Sequence, residues 1–174
     1  MKIFGDISKF HQTSDYLPIF NSIITVESFI IYFSVLGLFK SKQLKKWYND
    51  FGLSAVLADI CLISLILIVC RYLYKYLFDE FNIWLFIGLA LFIEVIHDLS
   101  YYALFMYIPR GVNKMFDVLK DYSKEVNWYA ILGNNLTIVA IILMASFTVN
   151  APVNINVLFL ILSLYSIPYL INSN

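Results

Sequence analysis

Residues 83–108 read IWLFIGLALFIEVIHDLSYYALFMYI, a mainly apolar stretch that contains neither Lys nor Arg. An α-helix needs about 20 such residues to cross the hydrocarbon core of a bilayer. Three ionisable side chains, Glu94, His97 and Asp98, lie within the stretch, and Pro109 follows it directly. Because proline disfavours a helical conformation in the residue before it, the sequence predicts a membrane span that ends at this proline.

Four other stretches are apolar and long enough to form similar spans. Hydrophobic residues make up 61% of the 174-residue chain and charged residues 14%, whereas soluble domains are about half apolar and a quarter charged. Five helices of about 20 residues leave room only for short connections. We therefore predict an all-α polytopic transmembrane bundle that forms a single integral membrane domain over residues 1–174. The predicted spans are about residues 18–39, 53–74, 83–108, 128–148 and 153–171.

The last of these stretches allows two interpretations. It is about 19 residues long, which is enough to cross the bilayer as a helix. Pro168 lies near its end, however, and a re-entrant segment that enters and leaves on the same side also fits the pattern. Both interpretations place the stretch within the membrane.

Lys and Arg residues are unevenly divided between the two sides of the predicted bundle. The chain has 12 of them, and eight follow the first and third spans. Cytosolic loops of membrane proteins are enriched in Lys and Arg, so we predict an outside or lumenal amino terminus and a cytosolic carboxyl terminus. The eight residues are Lys40, Lys42, Lys45, Lys46, Arg110, Lys114, Lys120 and Lys124.

The connection after the first span is predicted to be a loop, and the one after the third span to be a helix. Within residues 111–126, Met115, Leu119 and Tyr122 recur at helical spacing, opposite charged residues. This pattern is typical of an amphipathic helix, which we expect on the cytosolic membrane surface. A solvated connecting helix is an equally good interpretation, because acidic residues weaken attraction to anionic lipids.

Five ionisable side chains lie inside the predicted spans. An ionised side chain at mid-bilayer costs at least ~2.5 to 3.5 kcal/mol on insertion scales. Such groups therefore normally face a protein interior or a cavity, where they serve a purpose. The five residues are Glu27, Asp59, Glu94, His97 and Asp98.

Helical spacing and depth predict which of these side chains meet. Glu94, His97, Asp98 and Tyr101 fall on one stripe of the third span. At a rise of ~1.5 Å per residue, Asp59, Asp98 and Asn134 each lie roughly 10 to 15 Å from the cytosolic ends of their spans. Glu27 and Glu94 lie near the midplane, so these two carboxyl groups could pair, and neighbouring buried carboxyl groups are expected to share protons.

This set of side chains fits more than one chemistry. Glu94 and His97 have the i, i+3 spacing of a di-iron ligand pair, but the second copy is missing. A single metal ion held by Asp59, Glu94, His97 and Asp98 stays open. Asp59 and Asp98 could also form a hydrolytic pair, although the GxGD motif of intramembrane aspartyl proteases is lacking. The sequence predicts no cofactor, and no glycine-rich phosphate loop is present.

The stretch EVIHDLSYYALFMYIPRGVNKMFDVLKDYSKEV, residues 94–126, resembles segments of uncharacterised multi-pass membrane proteins encoded by large DNA viruses of algae and protists. The similarity lies in residues 97–98, 101–102, 108–111 and 120–122. The whole stretch covers about a fifth of the chain. The resemblance implies a viral or host membrane, but it implies no enzymatic mechanism.

Our first functional hypothesis is a non-enzymatic viral membrane protein that acts in membrane structure or in contacts with partners. The expected partners are the lipid bilayer and either a second copy of the chain or other membrane and virion proteins. The balanced charge does not favour nucleic acid. The alternative is a proton or cation channel or transporter, and a membrane-embedded hydrolase or metalloenzyme is a third hypothesis. The pathway of the alternative would use Glu27, Asp59, Glu94, His97, Asp98, Tyr101 and Asn134.

Overall fold

The computed structural model describes residues 4–173, and all regular structure within this range is helical. A short 3-10 helix, Thr13–Asp15, precedes seven α-helices. Five of the seven are long and apolar enough to cross a membrane, which confirms the predicted all-α bundle of five spans. The helices are α1 (Tyr16–Val35), α2 (Lys42–Phe51), α3 (Leu53–Leu77), α4 (Ile83–Tyr107), α5 (Lys114–Val126), α6 (Tyr129–Thr148) and α7 (Val153–Ile171).

The ends of the spans differ from the prediction at a few places. α1 ends at Val35, four residues earlier than predicted, and Gly37 makes the following turn with a φ of 72°. Glycine adopts such a left-handed conformation without steric cost. α7 continues through Pro168 to Ile171, so the fifth apolar stretch is a continuous helix of spanning length.

Residues 42–51 form helix α2, where we predicted a loop. The side chain of Ser41 accepts a hydrogen bond from the backbone N–H of Leu44 at 3.0 Å and so caps the helix. Apolar side chains then recur at i, i+3, i+4 and i+7, which is the spacing of one helical face. They belong to Leu44, Trp47, Tyr48 and Phe51.

Four of the spanning helices pack in a ring. α1 contacts α3 and α6, and α4 contacts the same two helices from the opposite side. α7 packs on the outside of α1, where Thr25 and Ser163 hydroxyls lie 2.8 Å apart. α2 and α5 contact each other and together cover one end of the ring, which we call the α2–α5 face. Both Lys-rich connections therefore lie on the same face, as predicted.

The other end of the ring is closed by the amino-terminal segment, whose apolar side chains pack into the core. Ile7 is 1% exposed and packs into the same core cluster as Ile23, Phe86 and Ile141. The backbone N–H of Gly5 donates to the Ser146 carbonyl at 2.8 Å, which ties this segment to α6. Apolar side chains predominate in this half of the interior, which also holds the buried ion pair of Arg71 with Asp15, whereas the half next to the α2–α5 face contains several other ionisable side chains.

Helix α5 is amphipathic, as predicted, and its apolar side packs against the bundle. Val118 is buried, and Met115 and Leu119 are partly buried in the cluster that includes α2. Lys120 is also buried, and its ammonium group donates to the Ile108 carbonyl at the end of α4. A cation at this position interacts favourably with the carboxyl end of a helix.

Glu125 of α5 caps the amino terminus of α2. Its carboxylate accepts hydrogen bonds from the backbone N–H groups of Lys42 at 2.8 Å and Gln43 at 2.9 Å, and from the Ser41 hydroxyl at 2.9 Å. The first N–H groups of a helix have no partner within it. Glu125 is exposed, and its slight desolvation raises the pKa of its carboxyl, but these hydrogen bonds and the Lys42 charge have the larger effect and lower this pKa.

Replacing this carboxylate should therefore have an effect that depends on pH. The ionised group stabilises the folded state above its ordinary pKa, and this contribution is lost as pH falls through the lowered pKa. We expect Glu125→Gln to reduce the free energy of unfolding by about 0.5 kcal/mol at neutral pH, because solvent screens the charge of this exposed carboxylate. Unfolding of the purified protein in detergent across an acidic-to-neutral pH series measures this difference. Glu80→Gln, at an exposed site, is the control, and a pH-independent difference for Glu125→Gln would contradict the prediction.

Candidate functional site: an acidic centre inside the bundle

Polar side chains from all four ring helices lie in the half of the bundle next to the α2–α5 face. Hydrogen bonds and short contacts divide these side chains into two groups. The Tyr48 group consists of Glu27 from α1, Trp47 and Tyr48 from α2, and Asp59 from α3. The Glu94 group consists of Glu94, His97 and Asp98 from α4 and Asn134 from α6.

The Tyr48 group joins α2 to two membrane-spanning helices. The Tyr48 hydroxyl donates to Glu27 Oε1 at 2.7 Å and lies 3.4 Å from Asp59 Oδ2. The indole N–H of Trp47 donates to the same Asp59 oxygen at 3.0 Å. Glu27 and Tyr48 are 2% and 4% exposed. α2 is therefore fixed to the bundle by two buried aromatic donors that each meet a carboxyl group.

The Tyr48 hydroxyl is the centre of this group. Burial raises the pKa of Tyr48 well above its ordinary value, and the nearby carboxyl groups of Glu27 and Asp59 raise it further. The hydroxyl therefore keeps its proton and acts as a donor. It carries one proton and two lone pairs, so it can donate to one carboxyl group while it accepts from the other when that group is protonated.

The Glu94 group places three ionisable side chains close together. A ligand atom of each of Glu94, His97 and Asp98 lies within 4.8 Å of the others. Glu94 is 2% exposed, and its Oε2 atom has no hydrogen-bond partner within residues 4–173. His97 Nδ1 lies 3.4 Å from Asp98 Oδ1, but without the geometry of a hydrogen bond. Asn134 donates to the other Asp98 oxygen, Oδ2, at 3.0 Å.

Two tyrosines lie near these groups. The ring of Tyr101 stacks on that of His97, with centroids 5.5 Å apart, and contacts Phe116 of α5. Burial raises the pKa of Tyr122 on α5, and the carboxyl groups of Asp59 and Asp98 raise it further. Tyr122 therefore interacts electrostatically with Asp59 of the Tyr48 group and with Asp98 of the Glu94 group.

The structure agrees with the predicted stripe on α4 and brings together one pair of side chains that we placed at a similar depth. Glu94 is buried on this stripe and His97, Asp98 and Tyr101 are partly buried, whereas Phe92 on the other side is exposed. Asp98 and Asn134, which we placed at a similar depth, are hydrogen-bonded.

The predicted pair of Glu27 and Glu94 is wrong. Glu27 is hydrogen-bonded to Tyr48, and the two glutamates belong to different groups. The reason is the order of helices in the ring, because α1 and α4 stand on opposite sides with α3 and α6 between them. Similar depth is therefore not sufficient for contact. Asp59 likewise bonds to Trp47 and does not belong to the close set of possible metal ligands around Glu94.

Two residues of the site, Trp47 and Tyr48, were not predicted from the sequence, although their spacing within α2 gave a signal that they share a buried helix face. A buried ion pair outside the site was not predicted either: Arg71 is 0% exposed and bonds to Asp15, which is 1% exposed, at 3.3 Å. This ion pair lies at the opposite end of the ring from the α2–α5 face.

Comparison with protein-family models, curated proteins and solved structures gives no match. The fold itself defines the class of protein: the chain is a multi-pass integral membrane protein with a helical-bundle architecture. Its distinguishing feature is an acidic centre within the ring, in which carboxyl groups face an imidazole, a phenol and an indole.

Proposed function

We propose that this chain binds a cation, either a proton or a metal ion, in its acidic centre and transfers it across the membrane. The observation that carries the proposal is the buried carboxyl group of Glu94, whose Oε2 atom lacks a hydrogen-bond partner beside His97 and Asp98. A carboxyl group in low dielectric is costly unless it is protonated or paired with a cation. The Glu94 group contains no Lys or Arg that could serve as this partner.

The proposed route of entry is the α2–α5 face. His97 and Asp98 side chains are 24% and 15% exposed, and the Tyr101 ring stacked on His97 contacts Phe116 of α5, so the Glu94 group borders this face. The opposite half of the ring is filled mainly by buried apolar side chains, contains the buried ion pair of Arg71 with Asp15, and is covered by the amino-terminal segment. An ion would therefore exchange with one side first, and a second conformation that opens the apolar half would complete its transfer, as in alternating access.

We further propose that the α2–α5 face is cytosolic. Eight of the 12 Lys and Arg residues belong to the segments on this face, and positive charge is enriched on the cytosolic side of membrane proteins. Five spans then place the carboxyl terminus in the cytosol and the amino terminus outside or in a lumen.

Ion uptake by reconstituted protein tests the proposal. Liposomes that contain the full chain and trapped dyes for pH and for divalent metal ions are given an inward gradient of each ion in turn. We expect uptake above that of protein-free liposomes, and we expect Glu94→Gln to abolish it. Labelling of Lys45→Cys with an impermeant thiol reagent, in cells that make the protein, reports the side of the α2–α5 face.

Glu80→Gln is the matched control for the uptake experiment. Glu80 is an exposed glutamate in the connection between α3 and α4, at the end of the ring opposite the α2–α5 face. It should leave uptake unchanged, since it removes the same charge without touching the Glu94 group. Uptake that is equal in Glu94→Gln, in the wild type and in Glu80→Gln would falsify the proposal, as would wild-type uptake no faster than in protein-free liposomes.

A second candidate function is the non-enzymatic role in membrane structure or partner contacts that the sequence suggested. The observation that favours it is the number of polar contacts that tie helices to one another, such as Trp47 to Asp59 and Asn134 to Asp98. Hydrogen bonds between membrane helices are a general means of fixing a bundle. A viral membrane as the location remains a prediction from the resemblance of residues 94–126.

A further inference from the structure

We infer that Glu94, His97 and Asp98 form a binding site for one divalent transition-metal ion of the Zn²⁺ or Co²⁺ type. The inference rests on the proposed function, because it names the ion that the acidic centre takes. Its starting point is that one ligand atom from each of the three side chains lies within 4.8 Å of the other two. Two carboxylates and one imidazole supply three protein ligands on a single stripe of α4.

The buried Glu94 Oε2 atom, which has no hydrogen-bond partner among the described residues, is the second observation that points to a ligand. A buried polar atom normally has a hydrogen-bond partner, and an exception requires an explanation. Glu94 Oε2 and His97 Nδ1 are both buried without such a partner, and the two residues belong to the same close set. A metal ion between them would satisfy both atoms at once.

The spacing of the two neighbouring ligands fits a first-row ion. His97 Nδ1 and Asp98 Oδ1 are 3.4 Å apart. Two ligand atoms each about 2.1 Å from one tetrahedral ion are also separated by about 3.4 Å. The carboxyl group of Glu94 needs only a side-chain rotation to join them, since it already lies within 4.8 Å.

The charge and the type of the ligands indicate which ion fits. Two carboxylates neutralise a divalent cation, which removes the cost of isolated negative charge inside the membrane. Imidazole nitrogen favours Zn²⁺, Co²⁺ or Fe²⁺, whereas Mg²⁺ and Ca²⁺ prefer sites built entirely from oxygen. The three side chains leave at least one position at the ion for a further ligand.

Asn134 is a positioning residue for this site. Its amide donates to Asp98 Oδ2 at 3.0 Å, which leaves Oδ1 directed toward His97. Groups that orient metal ligands in this way typically change metal affinity about 10- to 100-fold when they are removed. The residue also shows that α6 takes part in the site, although all three proposed ligands come from α4.

Metal binding to the purified full chain tests the inference directly. The protein in detergent is stripped with a chelator and titrated with Zn²⁺ by calorimetry and with Co²⁺ by visible absorption. We expect one ion per chain and a Co²⁺ spectrum of low coordination number. Glu94→Gln and His97→Gln should each weaken binding by about tenfold or more, and Asn134→Leu by about tenfold. His11→Gln, which alters the other histidine, should bind as the wild type does.

A stability measurement keeps the test valid if a variant folds poorly. Zn²⁺ should raise the unfolding temperature of the wild type and of His11→Gln, but not that of His97→Gln, because an ion that binds the folded state stabilises it. Absence of saturable binding, or equal binding by wild type and His97→Gln, overturns the inference. Proton uptake without metal binding would overturn it while leaving the proposed function intact. Saturable Zn²⁺ binding without any ion uptake would support the site and contradict transport.

Discussion

Replacing Arg71 by Met is expected to reduce the free energy of unfolding by about 3 to 5 kcal/mol. Arg71 is 0% exposed and bonds to Asp15, and it also donates to the carbonyl groups of Lys9 and Gln12. Its guanidinium carbon lies 4.4 Å from the centre of the Tyr16 ring. The substitution leaves the Asp15 carboxylate buried without its counter-charge, which is the costly half of breaking such a pair.

The measurement is reversible unfolding of the purified protein in mixed detergent micelles. Lys75→Met is the matched control, because Lys75 lies one helical turn further along α3 and is exposed. Its ammonium group is 4.6 Å from the Tyr76 ring, a contact worth about 0.5 to 1 kcal/mol at an exposed site. An Arg71→Met protein as stable as Lys75→Met would show that the ion pair does not hold the amino-terminal segment.

The double variant Arg71→Met with Asp15→Leu separates pairing from packing. Replacing a buried ion pair by apolar residues of similar volume is often neutral, whereas removing one partner is not. The double variant should therefore lose less stability than Arg71→Met alone. A loss equal to the sum of the two single variants would mean that the two residues act independently. In that case the closed end of the ring would depend on other contacts.

The membrane spans were predictable because the signals that define them are local. Length and hydropathy are properties of one continuous stretch, and helical spacing within residues 83–108 was enough to place Glu94 and His97 on one face. The shared face of the two Lys-rich connections also followed from counting spans. None of these inferences required knowledge of which helices are neighbours.

The contacts within the acidic centre could not be predicted in the same way, because they depend on which helices are neighbours. Glu27 and Glu94 have similar depths, but the ring order places α1 and α4 on opposite sides. Arg71 meets Asp15 across 56 positions of sequence, and no periodic pattern indicates such a pair. The prediction was also limited by treating residues 40–46 as a loop, because the helix there supplies Tyr48, the main partner of Glu27.

The second largest effect on stability is expected from Tyr48→Phe, which should cost about 1 to 3 kcal/mol. Phenylalanine keeps the ring but removes the hydroxyl, so the buried Glu27 carboxyl loses its donor at 2.7 Å. A buried acceptor without a partner retains the full cost of its desolvation. Unfolding in mixed micelles gives the free energy, and amide hydrogen exchange over residues 42–51 reports whether α2 loosens from the bundle.

Two comparisons decide whether the Tyr48 hydroxyl is the cause. Tyr107→Phe removes a hydroxyl from a side chain that is 88% exposed, and it should change stability by less than about 0.5 kcal/mol. Glu27→Met combined with Tyr48→Phe removes both partners, which can be nearly neutral, so the double variant should be more stable than Tyr48→Phe alone. Equal stability of the Tyr48→Phe and Tyr107→Phe proteins would contradict the role that we assign to this hydrogen bond.

The same variant bears on the choice between the two candidate functions. Tyr48→Phe alters the Tyr48 group and leaves Glu94, His97 and Asp98 with all their contacts. If the Tyr48 group is structural and the Glu94 group binds the ion, ion uptake per folded protein should stay unchanged while stability falls. If uptake is lost together with stability, ion transfer depends on the Tyr48 group as well. The proton held between Tyr48 and Glu27 would then belong to the pathway and not only to the anchor of α2.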